Sequence, residues 1–364
     1  MKKLKTAIIG FGGMAGYHYG EMRKSGLFEV KGVYDIDPQA CEKAKKHGLI
    51  VYDSYESLEA DKDIEVVLIA TPNDVHEFYA LRLAKAGKNI ICEKPVTLSS
   101  ESLERMIKAA EDNNVLLMVH QNRRWDKDFL IIKNIHDMGL TGNMYKVESN
   151  VTGSHGVPGS WRKIKAKGGG MLWDWGVHLI DQMLFMHKEK VTGVTCRGSF
   201  VYGLDCDDGI DMTLDFADGF EAKIYIDTNK FIPTPRWYAY GLDGTGIIKG
   251  WNCRGKIIKV KTFEDKKNKG ISAGNGFTKT MANRSHSTIR KYRLPKVNIE
   301  KHAFYKNVYD CVRNGAEPVI SNESVMRCML VMEAGFKSMA EKRTIETETV
   351  SYTHLRAHET SAHL

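Results

Sequence analysis

Over the first 120 residues, short apolar runs alternate with stretches of helical spacing. The runs Thr6–Ile9, Val30–Tyr34, Val66–Ala70, Ile90–Cys92 and Val115–Val119 predict strands. Between them the spacing predicts helices near Met14–Ser25, Pro38–Lys46, Val75–Ala86 and Ser100–Asp112, with Gly26, Gly48 and Gly87 where helices close. Strand and helix in alternation imply a parallel sheet with helices on both faces. After Asp126 the texture changes. A helix at about Phe129–Met138 precedes a strand at Met144–Gly153, a glycine-rich loop and a helix at Leu172–Met186. Strands then follow one another at Val194–Tyr202, Ile210–Phe216, Glu221–Asp227 and Tyr238–Leu242, with a hairpin signal at Asp218-Gly219. Adjacent strands imply antiparallel pairing, and the helical segment Lys301–Lys342 closes the fold. Its stripe Met326, Met329, Met332 and Phe336 reads as core. The pattern predicts an α/β domain over residues 1–121 and an α+β domain with a mainly antiparallel sheet over residues 122–350.

Length and composition agree with this division. At 364 residues the chain exceeds one ordinary core, and 42% hydrophobic with 27% charged residues is globular. No apolar run approaches the roughly 18 residues of a membrane span. Lys2, Lys3 and Lys5 before an apolar stretch faintly imitate an export signal, but Gly10, Gly12 and Gly13 follow at once and suit a strand and turn better. Seven cysteines without a C-x-x-C pair read as scattered reduced thiols, and the expected compartment is the cytoplasm. The net charge of +8 sits in local lysine runs, without the aromatic interleaving or zinc-finger spacing of a nucleic-acid binder. Such charge also steers anionic small molecules. The tail at 351–364, with His354 and His358 at metal-like spacing, resembles translated adaptor read-through and is set aside as artefact.

The first strand runs directly into Gly10-Phe11-Gly12-Gly13-Met14-Ala15-Gly16, a G-x-G-x-x-A loop. Its first glycine permits the tight turn, its second lets backbone approach a pyrophosphate, and a small third residue lets helix and strand pack closely. The helix that opens there offers unpaired N–H groups to phosphate. A dinucleotide-binding Rossmann domain is therefore expected. Asp35 ends the second strand, where a carboxylate can accept from adenosine ribose hydroxyls and would repel a 2′-phosphate. NAD is expected over NADP.

Two further segments carry a family resemblance. The first is Ala70-Thr71-Pro72-Asn73-x-x-His76, then Ala86-Gly87-Lys88 and Cys92-Glu93-Lys94-Pro95. The second is Gly168-Gly169-Gly170-x-x-x-Asp174-x-Gly176-x-His178-x-x-Asp181, with lesser matches at Asn122-Arg123-Arg124-Trp125 and Trp161-Arg162. Together with the glycine loop, they resemble the glucose–fructose oxidoreductase, inositol dehydrogenase and rhizopine catabolism (Gfo/Idh/MocA) family. The resemblance implies an open sheet in the second domain whose flat face joins subunits, as a homodimer or homotetramer, and an active site between the domains. It implies that Lys94 bonds the reacting oxygen and the nicotinamide ribose, and that Glu93 beside it belongs to the cofactor-binding set. Thr71, Pro72, Asn73 and His76 would contact the nicotinamide half of the cofactor, although His76 also suits a helix cap.

The chemistry follows from residue types. Asp174 and His178, four apart in a helical stretch, share a face that Asp181 continues. Histidine is suited to general acid–base work near neutral pH. His178 is expected to take the hydroxyl proton, Lys94 to stabilise the oxygen by charge, Asp174 to orient substrate or lysine, and Asp181 to hold another hydroxyl. Asp and His at this spacing can ligate zinc, but no cysteine or second histidine lies nearby in sequence, and no metal is expected. Arg123, His155, Trp161 and Arg162 are substrate candidates. For Trp161 packing is the alternative, and for Arg123 an acidic partner.

The expected activity is hydride transfer between nicotinamide and a secondary alcohol of a sugar, sugar derivative or cyclitol, with no nucleic-acid or membrane partner. A redox-assisted hydrolase or lyase with tightly held NAD is the first alternative. A non-catalytic cofactor sensor is the second, although a sensor has no need of Lys94, Asp174 and His178.

Overall fold

The computed structural model describes residues 2–347 apart from 160, 267 and 268, so the tail at 351–364 lies outside the described residues. The first half contains β1 (Leu4–Ile9), α1 (Gly13–Ser25), β2 (Phe28–Tyr34), α2 (Pro38–Lys46), β3 (Ile50–Val51), α3 (Tyr55–Ala60), β4 (Val66–Ile69), α4 (His76–Lys85), β5 (Asn89–Cys92), α5 (Ser100–Asp112) and β6 (Leu117–Val119). The strands form a six-stranded parallel sheet in the order β3-β2-β1-β4-β5-β6. Burial on both faces explains the unbroken apolar runs: every residue of β4 is buried. Local chemistry sets the helix starts. Asp37 accepts from Gln39 N with Pro38 in the first turn of α2, and Ser99 accepts from Ser102 N at the start of α5. Helix α1 differs, because Gly12 stands at its N-cap and no side chain caps it.

The second half contains α6 (Lys127–Asp137), β7 (Met144–Thr152), α7 (Val177–Met186), β8 (Val191–Ser199), β9 (Gly209–Phe216), β10 (Glu221–Asp227), β11 (Trp237–Gly241), β12 (Gly244–Ile248), β13 (Gly255–Val260), β14 (Ile271–Ala273), β15 (Gly276–Thr278), β16 (Ile289–Tyr292), α8 (Ala303–Asn314), α9 (Asn322–Glu341) and β17 (Ile345–Glu346). Its main sheet has nine strands in the order β16-β13-β12-β11-β7-β10-β9-β8-β17. All pairs are antiparallel except β7 with β10. The hairpin expected at Asp218-Gly219 joins β9 to β10, with Gly219 at φ +86°.

Two features depart from the sequence reading. The expected continuous helix at Leu172–Met186 opens instead with a π-helical turn, Leu172–Gly176, and becomes α7 only at Val177. Gly176 permits that turn: a Cβ there would stand 2.7 Å from Leu172 Cδ1. The C-terminal helices are also not confined to the second domain. Arg313 on α8 donates to both carboxylate oxygens of Glu65 (2.6 and 2.8 Å), and Ser100 N donates to Glu333 of α9 (2.6 Å). The two sheets part between β6 and β7, while α8 and α9 bind the two halves together.

Candidate active site

Strand β1 delivers the glycine loop. Gly10 sits at φ +82°, and a Cβ there would approach Ala70 O to 2.8 Å, so this position needs glycine on two grounds. At Gly12 and Gly13 a Cβ would meet nothing within 4 Å: their backbone faces open space at the uncapped start of α1. Phe11 N donates to Asp35 Oδ2, and Asp35 Oδ1 accepts from Asp37 N (2.8 Å), so the carboxylate ties the end of β2 to the loop. The Phe11 ring is buried in the core, so only the backbone of that residue is offered to a ligand.

A cavity of about 550 Å³ opens from this loop across to the second domain. Gly12, Gly13, Met14, Thr71, Pro72, Asn73, Glu93, Lys94, Arg123, Trp161, Arg162, Asp174 and His178 line it, as do Ala70, His120, Asn122 and Trp175. Thr71 Oγ1 and Asn73 Nδ2 are buried without a hydrogen-bond partner. An open glycine cradle, an uncapped helix start and two orphaned polar atoms on one cavity fit a dinucleotide carrying phosphate and amide groups.

Opposite the cradle stand the three residues expected to do the chemistry. Lys94 Nζ donates to Asp174 O (2.8 Å) and Asp174 Oδ1 (3.0 Å), which leaves its third proton uncommitted. Arg162 Nε lies 3.1 Å from the other carboxylate oxygen. Burial works against the Asp174 charge, but the Lys94 and Arg162 cations outweigh it and hold the carboxyl below its usual range. Gln121 Oε1 lies 3.3 Å from His178 Nδ1; an N–H donated there leaves the lone pair on Nε2. Burial first, then the charges of Lys94 and Arg123, push His178 well below the usual histidine range, so its imidazole is neutral at pH 7.

The triple glycine has a packing reason. A Cβ on Gly168 would stand 2.9 Å from Asn73 Nδ2, one on Gly169 2.7 Å from Arg162 O, and one on Gly170 2.3 Å from Asp207 Oδ1. The strand of backbone leading to Asp174 thus threads between three groups at contact distance. Behind it, Asp205 Oδ1 accepts from Lys165 N (3.1 Å), Cys206 Sγ donates to Arg162 O (3.4 Å), and Asp207 Oδ2 accepts from Leu172 N (2.8 Å). This one loop backs both the Arg162 arm and the helix carrying Asp174 and His178. Burial, with Asp208 adding, raises the Asp207 carboxyl to about 6. Gly170 also sits at φ +107°, so Gly170→Ala is expected to cost about 2 kcal/mol or more and to lower turnover. Thermal melting checks it, and a variant as stable as the parent removes this account of the glycines.

Several expectations are corrected. Asp181 does not reach the cavity: it is 2% exposed, and its carboxylate accepts from Arg124 at 2.8 and 2.6 Å. His76 is fully buried, its ring nitrogens 3.0 to 3.2 Å from the carbonyl oxygens of Thr71, Pro95 and Val96; it braces the loops on either side of the cofactor wall instead of facing the cavity. His155 is exposed and lies off the cavity lining. Arg123 has the acidic partner expected as the alternative, Asp126 (2.8 Å), and it also lines the cavity.

Glu93 touches the cavity, but its carboxylate is engaged from behind. His18 Nε2 and His120 Nδ1 donate to Oε1 (2.5 and 2.9 Å), and Lys94 N donates to Oε2 (3.0 Å). Burial opposes its charge, yet the imidazoles hold it well below the usual carboxylate range. Tyr305 OH of α8 donates to His18 Nδ1 (2.9 Å). The ligating atoms of His18, Glu93 and His120 all lie within 4.8 Å of one another, a grouping that spacing along the chain could not reveal. Both imidazoles aim at one oxygen at hydrogen-bond distance. Activity is accordingly expected to survive a strong chelator; its loss, with recovery on adding zinc, would place a metal on this trio.

Residues 4–121 match the oxidoreductase family (Gfo/Idh/MocA) with its NAD-binding Rossmann fold, and residues 129–246 match the Gfo/Idh/MocA C-terminal domain. The chain belongs to the Gfo/Idh/MocA family. Among its relatives in this family is the scyllo-inositol 2-dehydrogenase (NADP(+)) IolW of Bacillus subtilis, 28% identical over 95% of this chain and 96% of that one. The inositol 2-dehydrogenase of Rhizobium meliloti is 26% identical, covering 94% of this chain and 98% of the relative. The crystal structure of an NAD-binding protein from Listeria innocua shares the fold with a TM-score of 0.90 and 43% identity, covering 95% of this chain and 100% of that one. The expected Rossmann fold, mainly antiparallel second sheet and NAD(P)-binding oxidoreductase family therefore stand. Among the described residues no helix is long and apolar enough to cross a membrane.

Proposed function

We propose that this Gfo/Idh/MocA protein is a dehydrogenase that interconverts a secondary alcohol and a ketone on a sugar, sugar derivative or cyclitol, with NAD as the preferred cofactor. The observation that carries the reading is the placement of Lys94, Asp174 and His178 together on one cavity, opposite an open glycine cradle.

Gly12, Gly13 and Met14 would hold the pyrophosphate, Asp35 the adenosine ribose, and Thr71 and Asn73 the nicotinamide half. When bound, nicotinamide supplies a hydride acceptor or donor carbon. The chain supplies the rest. Neutral His178 takes the hydroxyl proton through Nε2 and returns it in the reverse direction. Lys94 offers its uncommitted proton to the same oxygen as negative charge builds there. Asp174, between Lys94 and Arg162, fixes where the ammonium points.

Initial rates of reduced-nicotinamide absorbance with NAD and a panel of sugars and cyclitols test this reading. Growth with one compound class supports it. Silence across the panel, with NAD recovered from the purified protein, favours the redox-assisted hydrolase instead.

The IolW relative is named for NADP(+), whereas in this chain Asp35 is taken as the residue that favours NAD. Asp35→Ser removes the charge that would repel a 2′-phosphate and loosens the tie to Phe11 N. Both cofactors are expected to bind more weakly, with the NAD-to-NADP ratio of kcat/KM falling at least about tenfold. An unchanged ratio takes Asp35 out of the ribose site. Assembly through the outer face of the nine-stranded sheet belongs to the same reading: Tyr238 and Tyr240 stack there at 5.7 Å, with Tyr145 beside them. Sedimentation equilibrium checks it, a monomer counting against it.

A further inference from the structure

Two tryptophans stand on the second-domain side of the cavity and a third lies against one of them, and each is backed by an arginine. Arg123 lies 4.2 Å over the Trp175 ring, Arg162 4.3 Å over Trp161, and Arg236 4.8 Å over Trp251. Trp161 and Trp175 line the cavity. Trp251 lies one ring further out, in the turn between β12 and β13, its centroid 5.8 Å from that of Trp175 and its plane tilted by 46°. It is 53% exposed.

An exposed tryptophan by itself asks for no explanation. The way this one is held does. Arg236 is 2% exposed, stacks 4.6 Å over Trp237 as well, donates to Ser149 Oγ and faces Asp128 at 3.0 Å. Its Nη2 is buried without a hydrogen-bond partner. A desolvated guanidinium is costly, and here it fixes one face of an indole whose surface remains half in water. A guanidinium on one face leaves the opposite face for a ligand. The cofactor does not account for that face: the cradle, Asp35, Thr71 and Asn73 all belong to the first domain, and Trp251 belongs to the second, outside the cavity lining.

Flat, pinned indoles beside a polar cavity are what the C–H face of a sugar ring packs on, with its hydroxyls turned to the polar rim. We propose that Trp251, together with Trp175, forms an outer subsite for a second sugar ring, so that the substrate is a glycosylated sugar or cyclitol, not a free single ring. This rests on the polyol reading above. One ring sits within reach of Lys94 and His178, and the glycosidic neighbour extends beyond the cavity lining onto Trp251.

Titration calorimetry with reduced cofactor present, which prevents turnover, tests the subsite. Ligands are a panel of aldohexoses, free cyclitols, and their disaccharide or glycosyl counterparts, none of which carries a ketone. For the best pair, the two-ring compound should bind at least tenfold more tightly than the single ring. In Trp251→Ala that ratio should fall about tenfold, the worth of one stacked ring pair, and Trp251→Phe should restore most of it. Phe263→Ala removes another exposed aromatic away from the cavity and should leave the ratio unchanged. A single ring that binds as well as its two-ring counterpart overturns the subsite and leaves the dehydrogenase reading standing. A change in sedimentation of Trp251→Ala with no change in the ratio also overturns it, assigning Trp251 to a contact between copies of the chain. Failure of every sugar and cyclitol to bind sinks both.

Discussion

Lys94→Ala is expected to lower kcat by at least about 10²-fold, the scale of a lost charge acting on a developing oxyanion. The ammonium does three things that alanine cannot. Its third proton is the donor for the reacting oxygen. Its first two hold the Asp174 backbone and carboxylate, at 2.8 and 3.0 Å, and so join the end of β5 to the π turn of the other domain. Its charge is also one reason that Asp174 stays ionised and His178 stays neutral. With Lys94 gone, both groups should titrate at higher pH than in the parent. The kcat/KM profile of the variant should therefore move its acidic limb upward while its magnitude drops, a pairing that simple unfolding does not produce. Cofactor binding should weaken as well, since Lys94 lines the wall beside Thr71 and Asn73. Initial rates across pH, with thermal melting as the folding control, read all of this, and parent-like turnover ends the proposed mechanism.

The parts of this molecule legible in its sequence share a physical cause. Strands of the parallel sheet are buried on both faces, so runs such as Val66–Ile69 stand out without any partner in view. Glycine positions forced by contact or positive φ, such as Gly10 and Gly170, mark the cradle and the entrance to the catalytic helix. What was not legible is either short or polar. Strands β12, β13 and β16 carry glycines, lysines and arginines near the sheet edge, a pattern that protects an edge and conceals the strand. The failures at the site are failures of long-range pairing. Helical spacing set Asp181 on the face of Asp174 and His178, but only the fold brings Arg124, 57 residues earlier, against it. His18 and His120 likewise meet Glu93 from separate elements. The sequence offers no signal for the Asp205–Asp208 loop, whose contacts with Arg162 and Leu172 span 44 and 35 residues.

His178→Ala should cost turnover as much as Lys94→Ala, at least about 10²-fold, but with cofactor affinity largely kept, because His178 comes from α7 and not from the glycine-loop domain. The pH dependence of the parent enzyme tests its role more sharply than the deletion does. In the direction of alcohol oxidation the neutral imidazole is the active form. An unperturbed histidine would lose activity as pH falls through about 6.5. Burial, with Lys94 and Arg123 nearby, pushes this one well below that, so kcat/KM should stay level from pH 8 down past 6.5 and fall only in more acid solution. Ketone reduction needs the protonated form, so its rate should rise as pH drops over the same interval. Arg123→Gln removes one of the two cations and should shift the oxidation limb upward, though not beyond the ordinary histidine value while burial persists. A parent limb centred near 6.5 or above would mean an imidazole in contact with water and not the desolvated base described here. A limb that ignores Arg123→Gln would assign the base to another group.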